Sequence, residues 1–266
     1  MGVLHMTTRP QLSIVIPAHN EEMNLGPTVD GVQRRLAETD ISYELIIVDD
    51  NSSDGTGDVI DGLETSDGRV RSVRRTPPSG FGRAVRSGLD VSTGEVVTIS
   101  MTDSSDDPED IVRYHQTIQQ GFDCMFGSRF IRGSRAVNYP PGKLVANRLV
   151  NTMIRIMFRC PFNDLTNAFK AYRQDVIRAC WPYQACQFNI TIEMSLGALN
   201  RHFRVAQIPI SWYGRTWGSS NLRLGQMGRR YLHTFIKAYG ERVLISDDVL
   251  AGSDRTLDRP TTREGP

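Results

Sequence analysis

Two short aliphatic runs, Leu12 to Ile16 and Leu45 to Val48, stop abruptly, the first at Pro17 and the second at Asp49 and Asp50. Apolar runs of this length, bounded by turn formers, read as strands buried on both faces, the pattern of a parallel sheet. Between them, from about Met23 to Thr39, Leu25, Val29, Val32 and Leu36 recur at helical spacing, which makes a βαβ unit. The alternation continues with a helix over Gly57 to Glu64, a strand over Val70 to Val73, a helix over Arg83 to Leu89 and a strand over Glu95 to Ile99. A doubly wound, mostly parallel α/β sheet with helices on both faces is therefore expected. A helix from Pro108 to about Gln120 and a strand from Cys124 to Phe126 follow, and then the sequence becomes less regular. One long helix is predicted from Lys143 to Phe158, and offsets of seven and eleven residues place Arg148, Arg155 and Arg159 on one of its faces. The chain divides into a flexible N-terminus (1–10), one large domain (11–222), a basic helical segment (223–245) and a polar tail expected to be disordered (246–266).

At 266 residues and 39% hydrophobic content, the chain can build a core without staples. Its four cysteines, Cys124, Cys160, Cys180 and Cys186, have neither CxxC spacing nor nearby histidine pairs, which argues against zinc and against a disulfide framework. No stretch approaches ~20 apolar residues, and the N-terminus lacks the order of a signal peptide, so a reducing, cytoplasmic compartment is expected. The net charge of +1 conceals a segregation. Between Asp123 and Asp164 there is no acid, while Arg129, Arg132, Arg135, Lys143, Arg148, Arg155 and Arg159 are present. The same holds between Glu193 and Glu241, which enclose Arg215, Arg223, Arg229, Arg230 and Lys237. Such stretches are either a solvated basic surface or a seat for an anionic partner. No nucleic-acid motif or interleaved aromatic platform is present, so nucleic acid is not expected.

In open parallel sheets ligands bind beyond the carboxyl ends of the strands, and three acid-rich segments fall there. The first strand leads into Pro17, Ala18, His19, Asn20 and Glu21, the second into Asp49, Asp50, Asn51 and Ser52, and the fourth into Asp103, Ser105, Asp106 and Asp107. Together they suit a divalent cation and a nucleotide. Taken singly, each also reads as a turn or a helix cap, with Pro108 in the first turn after Asp107. No GxGxxG follows the first strand and there is no Walker lysine, which excludes the dehydrogenase and P-loop readings.

The ordered segments Val15 to Glu22, Val48 to Thr56 and Gly80 to Leu89 resemble the signatures of family 2 glycosyltransferases. Gly127 to Phe130, Asp164 to Lys170 and Arg215 to Leu222 are similar to the dolichol-phosphate mannosyltransferase and polyprenyl-phosphate glycosyltransferase branch. The resemblance implies a GT-A fold and inverting transfer of a hexose from a UDP- or GDP-sugar to a lipid phosphate. It also implies Mg2+ or Mn2+ at the donor diphosphate. Pro17, Ala18, Glu21, Asp49, Asp50 and Gly80 would hold the donor, with Asp103, Arg129 and Arg215 as catalytic residues that also contact it. Asp103, Ser105 and Asp106 would hold the metal, and Lys143 and Arg148 the acceptor phosphate. The family's Asp-x-Asp reads Met101-Thr102-Asp103 in this chain, so the first carboxylate is missing, and Asn221 replaces a lysine common in the branch. A lipid acceptor would be reached peripherally at the inner membrane face, through the 143–159 helix and the basic 223–237 segment, or through a separate membrane partner. A saccharide hydroxyl acceptor would instead require a base, Asp106 or Asp107. A nucleotide-sugar binding protein without turnover is the third reading.

Overall fold

The computed structural model describes residues 9–214 and 224–254. The first half follows the expected alternation: β1 (Leu12–Ala18), α1 (Glu22–Leu36), β2 (Tyr43–Asp49), α2 (Thr56–Ser66), β3 (Val70–Arg74), α3 (Phe81–Val91) and β4 (Val96–Ile99). Then come α4 (Pro108–Gln119), β5 (Cys124–Ser128), β6 (Arg135–Val137), α5 (Pro141–Phe158), β7 (Lys170–Arg173), α6 (Gln174–Cys180) and α7 (Ile190–Asn200). The described chain ends with β8 (Val205–Pro209), β9 (Ser211–Tyr213), α8 (Leu224–Leu244) and α9 (Ser246–Asp254).

Seven strands form one sheet in the order β3-β2-β1-β4-β7-β5-β8, and β6 and β9 make a small second sheet. The strand order reverses at β1, which pairs in parallel with both β2 and β4, and the crevice between their carboxyl ends is the place for a ligand. Alternation along the strands divides the core: Val15, Ile46 and Val48 face one layer, while Ile14, Ile16, Leu45 and Ile47 face the other.

β7 departs from the simple parallel pattern by lying antiparallel between β4 and β5. It carries a fully buried lysine, Lys170, whose Nζ donates to Leu165 O at 2.6 Å, Thr191 O at 3.1 Å and Ser195 Oγ at 2.7 Å. Burial pulls the pKa of this amine down to about 7. Close packing also governs Gly127 in β5, where an added Cβ would run into the Tyr114 hydroxyl. That hydroxyl is buried and donates to Phe169 O at 3.0 Å. Gly127→Ala is expected to cost about 2–4 kcal/mol by overpacking and by disturbing this bond, measurable by urea unfolding.

One expectation is corrected. Residues 246–254 of the tail form α9, because Asp247 and Asp248 in its first turn suit the helix dipole and α9 packs on α7 and α8; residues 255–266 lie outside the described residues. On α5 the face turned outward is apolar. The helix turns Asn151, Ile154 and Phe158 into the core, which leaves Val145, Leu149 and Ile156 outward at 69%, 71% and 73% exposure. Arg155 is exposed, but Arg148 packs over the Phe130 ring, and Arg159 is a left-handed cap with φ 47° beyond the last turn.

Candidate active site

The strand tips are tied together before any ligand arrives. Asn20, Asn51 and Ser104 adopt left-handed backbone, which turns the chain sharply after β1, β2 and β4. Glu21 N donates to Thr56 Oγ1 at 2.8 Å, Ser53 N to Asn20 Oδ1 at 2.8 Å, and Thr28 Oγ1 to Thr102 O at 2.9 Å. Asp49 accepts from Ser52 N at 2.9 Å and from Arg74 at 3.0 Å, and it lies outside the cavity lining, so its carboxylate fastens the β2 tip. Burial alone would raise its pKa, but the Ser52 and Arg74 hydrogen bonds bring it below the usual carboxylate value.

Pro17, Ala18, Glu21, Asp50 and Gly80 do line a single cavity of about 670 Å3. Asp50 accepts from Gly80 N at 2.5 Å and is paired with Arg75, yet burial leaves its pKa raised. On the β4 side, Asp103, Ser105 and Asp106 line the same cavity. Asp106 is buried, accepts from Met101 N at 2.9 Å, and has its pKa pushed up to about 8, by burial first and by neighbouring Asp103 as well. Asp103 accepts from Ser105 N at 3.2 Å. Two carboxyl groups beside a buried hydroxyl form a hard-oxygen set that suits Mg2+ or Mn2+. Among the described residues no cluster of three His, Cys, Asp or Glu side chains stands ready for a metal, so such an ion would need further oxygens from its ligand. Asp107 is the cap: its Oδ1 accepts from Glu109 N at 3.0 Å at the start of α4.

Arg129 reaches the cavity, but two of its donors already have a partner. Nε and Nη2 donate to Asp164 at 2.8 and 2.7 Å, in a pair whose side chains are only 9% and 0% exposed. Asp164 also accepts from Arg129 N at 3.1 Å. Arg129 thus reaches the site chiefly as a fixed positive charge, and its pKa is raised, Asp164 outweighing burial. Lys143 lines the cavity, whereas Arg148 does not; its guanidinium donates to Asn163 O at 3.4 Å. Arg215 and Asn221 lie outside the described residues.

Several lining residues escaped sequence reasoning. Trp212 and Tyr139 stand with ring centroids 5.0 Å apart, and Tyr139 meets Phe130 at 5.6 Å. Phe81 and Phe188 stack at 4.4 Å. α3, α5 and α8 add the largely apolar Ala84, Ala146, Val150 and Tyr231 to the lining, beside Lys143 and Asn147 of α5. No sequence period marks these aromatics, since each lies in a loop, a three-residue strand or a helix whose inner face was unknown.

A doubly wound sheet whose switch-point crevice is lined by carboxylates from the tips of β1, β2 and β4 is the architecture of a GT-A glycosyltransferase. The family model described as glycosyl transferase family 2 matches residues 13–181, and the chain belongs to that family. A polyprenol monophosphomannose synthase of Mycolicibacterium smegmatis is 31% identical over 224 residues, covering 81% of this chain and 83% of that protein. An undecaprenyl-phosphate mannosyltransferase of Micrococcus luteus is 28% identical over 80% of this chain and 88% of its own. A dolichol-phosphate mannosyltransferase of Pyrococcus furiosus is 27% identical, and the match spans 59% of that longer protein. In fold, the chain is similar to glucosyl-3-phosphoglycerate synthase from Mycobacterium tuberculosis, solved with Mn2+, UDP and glucosyl-3-phosphoglycerate, with a TM-score of 0.66 at 20% identity over 88% of this chain and 81% of that one.

Proposed function

We propose that this glycosyltransferase moves a hexose, with inversion, from a UDP- or GDP-linked donor to a polyprenyl or dolichyl phosphate. The observation that carries the reading is the single cavity in which carboxylates at the strand tips, the cations Lys143 and Arg129, and apolar walls from α3, α5 and α8 face one another. An anionic nucleotide and a phosphate on a hydrocarbon chain need that combination. The names of the three relatives, each of which joins mannose to a polyprenyl-type phosphate, point the same way.

In this reading an acceptor phosphate oxygen attacks the anomeric carbon while the bond from that carbon to the donor diphosphate breaks, and its electron pair leaves with the nucleoside diphosphate. The attacking oxygen is already anionic, so no strong base is required; the protein's work is to hold two anions together and aligned. Lys143 and Arg129 offset the joint negative charge, and Pro17, Ala18, Asp50 and Gly80 hold the nucleoside. Asp103, Ser105 and Asp106 would hold a divalent cation that, when bound, neutralises the diphosphate. A hydroxyl acceptor with Asp106 as base is the second reading, favoured by that residue's raised pKa.

The deciding experiment offers UDP- and GDP-sugars with polyprenyl phosphate in detergent, with Mg2+, Mn2+ or EDTA. Lipid-linked sugar is expected; product formed only on saccharide acceptors would favour the second reading, and nucleotide binding without turnover would make the chain a binding protein.

The acceptor also bears on where the enzyme works. Among the described residues no helix is long and apolar enough to cross a membrane. The outward faces of α5 and α8 are nevertheless apolar, with Val145, Leu149 and Ile156 on one and Leu232, Ile236 and Val243 on the other, and Phe158 joins the two helices through Tyr239 at 6.0 Å. α5 carries no acid, and Arg155 and Arg229 are exposed beside these stripes. This is the composition of helices lying in a membrane interface. Leu149→Glu and Ile236→Glu are each expected to weaken sedimentation with anionic vesicles roughly tenfold, the equivalent of losing one buried aliphatic side chain. Unchanged sedimentation of the double variant would count against a peripheral contact.

A further inference from the structure

Trp212 is held more firmly than a half-buried indole on a three-residue strand needs to be. Its backbone bridges to Asp106 on one side and pairs with Ala136 of β6 on the other. Its neighbours are pinned to the same loop and helix, with Tyr213 N donating to Ser105 O at 3.0 Å and Ser211 N to Asp110 Oδ2 at 2.9 Å. The ring itself leans on Tyr139 at 5.0 Å, and Tyr139 is braced by Phe130 at 5.6 Å and by the Arg129 guanidinium at 5.3 Å. An aromatic ladder rooted in the buried Arg129–Asp164 pair thus presents one indole to the cavity, whose lining also includes Asp103 and Asn138.

The sheet order says which part of a nucleotide sugar would lie there. Asp50 follows β2 and Asp103 follows β4, with β1 between them, so the two tips are separated by about 10 Å at ~4.8 Å per strand. A nucleoside at the β2 tip and a diphosphate at the β4 tip fill that span. Trp212 comes next, tied to the loop after β4, where the sugar must follow. A pyranose carries an apolar face of C–H groups rimmed by hydroxyls, and an aromatic face in a cavity that also carries a carboxylate and an amide matches it.

We propose that Trp212 is the platform on which the transferred pyranose rests, and that it is a specificity-determining residue for the donor sugar. This rests on the donor reading above. Calorimetric titration of the full chain with UDP, GDP, UDP-glucose and GDP-mannose in Mg2+ tests it, with wild type, Trp212→Phe and Trp212→Ala compared. For the nucleotide sugar that the wild type binds, Trp212→Ala is expected to raise Kd roughly tenfold, with Trp212→Phe in between. Kd for the corresponding nucleoside diphosphate should stay within about twofold, which a general loosening of β9 would not allow. Equal losses for diphosphate and nucleotide sugar, or no loss for either, overturn the assignment. If the wild type binds no nucleotide, the donor reading itself falls and the platform falls with it.

Discussion

Replacing Asp103 by Asn is expected to lower sugar transfer by about 10^3-fold with little change in stability. The substitution is chosen to separate charge from shape. Asn keeps an Oδ1 that can accept from Ser105 N, the 3.2 Å bond that shapes the loop after β4. The left-handed turn at Ser104 is likewise undisturbed. What disappears is a carboxylate facing the cavity in a chain where Met101 already replaces the family's first one. Removing a fixed electrostatic contact to a reacting group costs about 10^2–10^3 in rate, and a site with one carboxylate fewer should sit at the upper end. Initial rates against Mg2+ or Mn2+ concentration, with thermal midpoints alongside, provide the check. The half-saturating metal concentration should rise as the rate falls. Activity within tenfold of wild type at an unchanged metal midpoint would remove Asp103 from the chemistry and leave Asp106 as the carboxylate to test.

Much of this site was legible in the sequence because parallel strands announce themselves. Leu12 to Ile16 and Leu45 to Val48 are buried on both faces, so their apolar runs are unbroken, and the residues that interrupt them must stand at the carboxyl ends where ligands bind. The same logic does not reach β7. Its four residues include Lys170 and Arg173, and only pairing with β4 and β5, far away in sequence, makes them a strand. Arg129 illustrates the limit for charges. The acid-free run from 124 to 163 suggested cations awaiting a phosphate, yet the run ends at Asp164, which folds back onto Arg129. Spacing on α5 places three arginines on one face but does not say which face meets the core. Asn151, Ile154 and Phe158 settle the orientation, and the apolar stripe that they leave outside is the more informative surface.

The Arg129–Asp164 pair carries the second large effect, this time on stability. Asp164→Asn is expected to destabilise the fold by about 3–5 kcal/mol, because it leaves a guanidinium buried without its counter-charge. For a domain of this size that lowers the thermal midpoint by roughly ten degrees. A pH dependence should accompany it, because Asp164 also favours the charged form of Lys170. The Lys170 pKa is about 7 when folded against an ordinary 10.5, so the unfolded chain binds more protons between those values and stability rises with pH across that window. Without Asp164 the folded pKa falls further and the window extends below 7. The part of the deficit that runs through Lys170 is therefore present on the acid side and vanishes once the amine is neutral in both proteins. Unfolding free energies measured at about pH 6 and about pH 9 should show the smaller deficit at the higher pH. Arg129, charged throughout, supplies the part that remains. Replacing both partners, Arg129→Met with Asp164→Leu, removes the uncompensated charge and should recover most of the lost stability, as apolar replacements of buried pairs often do. Transfer activity should not return with it, since the positive charge beside the cavity is gone. Recovery of stability and activity together would reduce the pair to packing, whereas recovery of stability alone would mark Arg129 as a charge retained for the reaction rather than for the fold.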